Sequence, residues 1–247
     1  MLNRINFRDF GGGVTSDGRK IRLGLLYRSG VWQKMNDADR VYIESLKIQY
    51  VIDFRSAEEQ DRKPAFLPSR EKISMPCNID QLTRDGLRPF WMKRHADDKI
   101  MDVIEGVYSA MVDMMVEPMG KMINLVLTPG ALPIIIHCHA GKDRTGFAAA
   151  MIQWFLGMDK NDIIAEYLRS NVFLMPKISK LMNRLHLFTA GLYPKSNLQA
   201  AFEVKERYLL TAMKKVDEVY GGIDKYFMSA GITQQQLTQL RTLLLEP

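Results

Sequence analysis

Short apolar runs broken by turn residues fill the first third of the chain, and longer helical periods take over after it. Gly11, Gly12 and Gly13 follow Phe10 and permit a tight or left-handed turn. Ser16, Asp17 and Gly18 supply turn chemistry ahead of residues 21–27, which read as a strand. Asp37 is placed to cap a helix carrying Val41, Ile43 and Leu46. Residues 50–54 (YVIDF) are β-rich with apolar side chains on both faces, as a central strand requires. Ser56 and Glu59, three apart directly after it, form a capping-box pattern. Residues 73–77 offer one more short strand, which Pro76 confines to an edge or an end.

The stretch 78–95 has mixed charge, Pro89 and no clean period, and reads as an irregular connection. Ile100, Ile104, Val107, Met111 and Met115 then recur at helical spacing with one face turned inward. Met119, Met122, Ile123 and Val126 predict a second helix, stopped near Pro129 and Gly130. A buried strand at 133–138 feeds directly into HCHAGKDRTG, and the apolar run 144–156 predicts a helix ended by Gly157. Everything beyond reads as helical: a helix capped by Asn161 and running to Leu168, others in 173–190, 198–219 and 223–230, and a last one behind a capping box at Thr233 and Gln236. No repeat or low-complexity linker divides the chain. The expectation is a single α/β domain, residues 1–247, with a helix-rich C-terminal half.

Composition narrows the setting. The 247 residues are 47% hydrophobic and 25% charged, ordinary for a globular protein able to bury a substantial core. Two cysteines, Cys77 and Cys138, exclude a disulfide framework. Neither a signal peptide nor a membrane span is legible, the longest apolar stretch near 131–136 being strand-sized, so a cytoplasmic location is expected, with export lacking a cleaved signal left open. The net charge of +6 suits phosphorylated or anionic partners, but no recognition motif supports nucleic acid.

The chemistry concentrates at one loop. Five residues, His139, Ala140, Gly141, Lys142 and Asp143, separate Cys138 from Arg144. A loop leaving a buried strand and entering a helix turns backbone N–H groups toward one point, and the helix N-terminus adds positive potential there. Gly141 allows close backbone approach, and Arg144 presents a planar fork to two phosphate oxygens. A helix N-terminus and nearby cations favour the thiolate form of a cysteine, so Cys138 is expected to attack phosphorus and form a phosphocysteine. Thr145 is placed to hydrogen-bond the departing sulfur, and His137 to orient the loop.

HCHAGKDRTG resembles the HCxxGxxR[ST]G signature of the cysteine-dependent protein tyrosine phosphatase superfamily. NFRDFGG, DGRKIRLGLLYRSG, VIDFRSAEEQ and NDIIAEYLRSN resemble, in order, a microbial branch whose members act on phosphotyrosine and often on phosphoinositides, and YGGIDKYF extends the likeness more weakly. The resemblance implies a central sheet with helices on both sides, Cys138 as nucleophile and Arg144 as transition-state clamp. The chain has no Trp-Pro-Asp tripeptide, which carries the general acid in many relatives. In the branch it resembles that role falls to an aspartate within the loop, here Asp143; Asp53, Asp80 and Asp85 compete, and Asp53 serves equally well as a structural residue. Lys142 resembles lipid-directed members, against the alternative of a solvated loop lysine. The Met- and Leu-rich segment 172–200 matches the place of a helical insertion that covers the site in related phosphatases; ordinary core packing explains its residues individually.

The expected substrates are therefore phosphotyrosine, phosphoserine or phosphothreonine, and phosphoinositides, with inorganic phosphate as product. No metal or organic cofactor is required. Other readings fare worse. Ile136 and Asp143 stand where a nucleotide-binding P-loop needs Gly and Ser or Thr. His137 and His139 lack further ligands, since His95 and His186 show no ligand spacing. A rhodanese-like sulfurtransferase needs neither the Arg-Thr-Gly exit nor the acid, and a silent phosphate- or phosphoinositide-binding module would not need Cys138, Asp143 and Arg144 together. Cys77 reads as a buried thiol, or as a partner for oxidised Cys138. Oligomeric state is not legible.

Overall fold

The computed structural model describes residues 5–33, 35–66 and 69–247. Its elements are β1 (Arg8–Asp9), β2 (Leu26–Ser29), α1 (Asp37–Ser45), β3 (Tyr50–Asp53), α2 (Ala57–Arg62), β4 (Glu71–Ser74), α3 (Ile79–Leu87), α4 (Asp97–Met114), α5 (Val116–Leu127) and β5 (Ile134–His137). Then follow α6 (Arg144–Phe155), α7 (Lys160–Phe188), α8 (Lys195–Phe202), α9 (Glu206–Lys215), a π-turn at Val216–Tyr220, α10 (Ile223–Ser229) and α11 (Gln234–Leu244).

The strands form one sheet in the order β1-β2-β5-β3-β4, parallel except for the antiparallel β1. β5 is central, and its end is level with both neighbours: Ser29 and Asp53 both pair with His137. A parallel strand buried on both faces needs apolar residues throughout, which explains Ile134, Ile135 and Ile136. Side chains alternate across the sheet. Ile134, Ile136 and Ile52 join the large core shared with the C-terminal helices, whereas Ile135, Val51 and Tyr27 join a small one with Phe7, Trp32 and Ile43 of α1. Helices therefore cover both faces, and the segment after β5 emerges at the carboxyl edge of the parallel strands, where open α/β sheets place their ligands.

The capping boxes at Ser56–Glu59 and Thr233–Gln236 are formed. Several boundaries differ from the expectations. Residues 21–25 precede β2 as a loop with one bridge, Ile21 to Leu245, because their partner is the C-terminal segment rather than the sheet. Asn36, not Asp37, caps α1, and Asp159, not Asn161, caps α7. The irregular connection contains α3, anchored by its buried Ile79 and Leu87. The two helices expected on either side of residue 170 are one, α7, running through Pro176. The region 198–219 is broken between α8 and α9 and ends in the π-turn. Among the described residues no helix is long and apolar enough to cross a membrane.

Candidate active site

Cys138, 2% exposed, leaves β5, and α6 starts six residues later at Arg144. All residues of α6 but Trp154 are buried, so the helix sits in the core and holds its first turn rigidly against the sheet. Between them the chain is forced into one shape. Gly141 has φ +68°, and a Cβ there would lie 2.5 Å from the backbone carbonyl of Ser29. Only glycine fits.

The carbonyls of His139, Ala140 and Gly141 turn outward. His139 O accepts from Val31 N at 3.0 Å, Ala140 O from Asn6 Nδ2 at 3.4 Å, and Gly141 O from both Asn6 Nδ2 and Arg28 Nη2 at 2.8 Å. In a trans peptide the N–H opposes the C=O, so the N–H groups of Ala140, Gly141 and Lys142 are turned the other way. Among the described residues none of these three N–H groups has a protein acceptor. Two further buried donors at the start of α6, Arg144 Nε and Thr145 Oγ1, also lack partners among the described residues. Buried donors are rarely left unpaired. Together they are donors that a bound anion can satisfy.

Arg144 is held by a carboxylate that the sequence offered only as a helix cap. Its Nη1 and Nη2 bond Glu59 Oε2 and Oε1 at 2.6 and 2.8 Å, and Nη1 also reaches the carbonyls of Cys77 (3.2 Å) and Phe54 (3.3 Å). Burial disfavours the Glu59 carboxylate, but the bonds from Arg144 outweigh it and lower its pKa. The same pair raises that of Arg144 against its own burial. Because Glu59 also accepts from Ser56 N at 3.0 Å, the capping box of α2 aims it at the loop.

Asp143 Oδ1 accepts from Lys142 Nζ at 2.9 Å and from Tyr108 Oη at 2.7 Å. Tyr108 has one proton and spends it on Asp143, so Tyr167, 2.7 Å away, donates to Tyr108. Burial first, and then Asp143, raise the pKa of both phenols well above the ordinary value. The Lys142 side chain is only 12% exposed and so is not the solvated loop lysine of the alternative reading.

The other candidates lie around this centre. His137 is buried beneath the loop, Nδ1 3.3 Å from Cys138 O and Nε2 3.4 Å from Asp53 Oδ2. Burial pushes its pKa down to about 4, with Asp53 opposing. Asp53 is occupied by Arg55, which bonds it through Nε (2.9 Å) and Nη2 (2.6 Å). Asp80 accepts from Ser56 Oγ at 3.3 Å, and Asp85 is exposed on α3. His139 is exposed and Ala140 half-buried. Cys77 is a buried free thiol, its pKa pushed up to about 12 by burial.

Residue reading alone missed Asn6, Arg28, Glu59, Tyr108 and Tyr167. All but Tyr108 lie in the segments NFRDFGG, LLYRSG, VIDFRSAEEQ and AEYLRSN, which converge beneath or beside this loop. A tyrosine phosphatase family profile matches residues 2–246, nearly the whole chain. The chain belongs to the tyrosine phosphatase family. This phosphatase is 31% identical over 242 residues to a protein of Cupriavidus necator provisionally named a tyrosine-protein phosphatase, covering 96% of this chain and 84% of that one. It is 28% identical to the triple specificity protein phosphatase PtpB of Mycobacterium tuberculosis, over 97% of this chain and 96% of the relative. Among solved structures, Pseudomonas aeruginosa TpbA in complex with phosphotyrosine is similar over 87% of this chain and 91% of its own, at 16% identity and a TM-score of 0.35. The phosphatase is thus a hydrolase of phosphorylated substrates.

Proposed function

We propose that this phosphatase cleaves phosphomonoesters through a phosphocysteine on Cys138. The observation that carries the reading is the set of unpaired donors around Cys138, at Ala140, Gly141 and Lys142 N–H, Thr145 Oγ1 and Arg144 Nε. A phosphoryl dianion would satisfy them together, with Arg144 clamping its equatorial oxygens. Cys138 Sγ attacks phosphorus as the bond to the leaving oxygen breaks, and that oxygen takes the proton of Asp143. Water then attacks the phosphocysteine with Asp143 as base, releasing inorganic phosphate and the thiolate, which Thr145 stabilises. Asp143 is favoured over Asp53 because Asp53 is committed to Arg55, and over Asp85, which is exposed.

The substrates we assign are phosphotyrosine, phosphoserine or phosphothreonine, and phosphoinositides. The triple specificity of the relative PtpB supports this breadth, and Lys142, held at the loop by Asp143, supplies a cation for a second phosphate on an inositol ring. Residues 172–200 act as a lid, in support of which only Leu174, Met182, Asn197, Leu198 and Ala200 of the segment are buried. Vanadate should slow proteolysis of this segment; identical cleavage with and without it argues against a lid. The deciding assay is metal-free phosphate release by wild type and Cys138→Ser from a phosphotyrosine peptide and a phosphoinositide panel. Release by wild type alone is expected, and release by Cys138→Ser at the wild-type rate would refute the mechanism.

A further inference from the structure

Residues 167–202, the outer part of α7 with α8, hold Arg169, Lys177, Lys180, Arg184 and Lys195 and no aspartate or glutamate. The chain's net charge is +6, so this one segment carries nearly all of it and the remainder is almost balanced. Arg169 pairs with Glu166 at 2.8 Å, whereas Lys177, Lys180, Arg184 and Lys195 are exposed and have no carboxylate partner among the described residues.

The apolar pattern on the same helix is inverted. Leu174 and Met182 face inward, but Leu181, Leu187 and Phe188 are 60%, 77% and 84% exposed, and Leu192 in the turn after α7 is 53% exposed. At 3.6 residues per turn, Lys177, Lys180, Leu181, Arg184, Leu187 and Phe188 fall on one side of α7. Cations and bulky apolar side chains therefore share a solvent face that ends in an apolar tip. That is the composition of a helix lying in a membrane interface, where the apolar groups enter the headgroup boundary and the cations meet anionic lipid.

We propose that this face docks on an anionic lipid surface. The tip at Leu187, Phe188 and Leu192 enters the interface, and Lys177, Lys180, Arg184 and Lys195 pair with the headgroups. A second copy of the chain fits poorly, because a two-fold contact through this face would set cations against cations. The first half of α7 backs the phosphate loop, Ser170 through Asn6 and Tyr167 through Tyr108, so the docking face and the loop share one rigid element. This deepens the phosphoinositide reading of the proposed function, but the docking itself needs no catalysis.

The test uses full-length Cys138→Ser protein, which removes turnover, and co-sedimentation with phosphatidylcholine vesicles with and without phosphatidylserine. Binding to the anionic vesicles alone, weakening with salt, is expected. Leu187→Asp with Phe188→Asp, and separately Lys177→Glu with Lys180→Glu and Arg184→Glu, should each melt like the parent. The charge-reversed variant should bind on the order of a hundredfold more weakly, and the apolar variant about tenfold or more. Three results would overturn the proposal: no binding to anionic vesicles, binding that neither variant changes, or binding only of an acidic peptide. A dimer lost in the variants without any lipid binding would assign the face to a second copy instead. Because phosphatidylserine is no phosphatase substrate, an inactive wild type would count against the catalytic reading and leave this result standing.

Discussion

At the scale of single residues, the site depends on charges paired out of sight. Glu59 offsets the buried guanidinium of Arg144, so Glu59→Gln leaves that cation undercompensated until an anion arrives. The variant is expected to lose on the order of 2 kcal/mol of stability, and inorganic phosphate should raise its melting temperature more than it raises that of wild type. Equal phosphate-induced shifts would refute this role. His137 makes a separate, pH-dependent contribution. Its folded pKa is about 4 because of burial, against about 6.5 unfolded. The unfolded chain therefore takes up the proton first as pH falls. Stability is full above about pH 6.5 and declines toward pH 4, by about 3 kcal/mol in all. Thermal melts of His137→Asn across this window should be flatter than those of wild type, and parallel curves would count against the assignment. Glu59 acts in a lower window: its depressed pKa gives stability present above about pH 4.3 and lost as pH falls through the folded value.

At the scale of elements, α4 and α7 meet at the loop through two phenols. Tyr108 of α4 donates to Asp143, and Tyr167 of α7 donates to Tyr108. Tyr108 is thus a positioning residue for the acid proposed above. Tyr108→Phe should slow cleavage of an alkyl phosphate, which needs a proton on its leaving oxygen, by about tenfold. An activated aryl phosphate needs little such help and should be cleaved at nearly the wild-type rate. An equal loss on both substrates would mean that Tyr108 serves only to hold the fold. The helical periods of α4, α5 and α6 were legible from their apolar spacing, because a helix with one buried stripe, or buried all round, writes its contacts into its own sequence. The merging of the expected helices 161–168 and 173–190 into one, α7 (Lys160–Phe188), was not, since Ser170 and Asn171 are weak helix formers between them and it is the burial of Ser170 that carries the helix through.

At the scale of the whole molecule, residues 20–22 close on residues 244–246. Ile21 bridges Leu245, Arg22 N donates to Leu244 O, and Glu246 N donates to Lys20 O, both at 2.8 Å. Leu245 is 2% exposed, and Leu245→Ala should cost about 2–4 kcal/mol in chemical denaturation. A loss within experimental error would show this closure to be dispensable. The early chain carries Asn6 and Arg28 to the back of the phosphate loop, and α7 adds Ser170, bonded to Asn6 at 3.2 Å. By itself the sequence determined the α/β class, the central strand and the loop from Cys138 to Arg144, because each is a local pattern: an apolar run, a spacing, a glycine that lets the backbone bend. Only the tertiary structure decided that Glu59 grips Arg144, that Tyr108 and Tyr167 meet Asp143, and that Arg28 and Asn6 turn the loop carbonyls outward. Those partners lie tens of residues or more from the groups they hold, and it is the sheet order and helix packing, not any local periodicity, that bring them within hydrogen-bond reach.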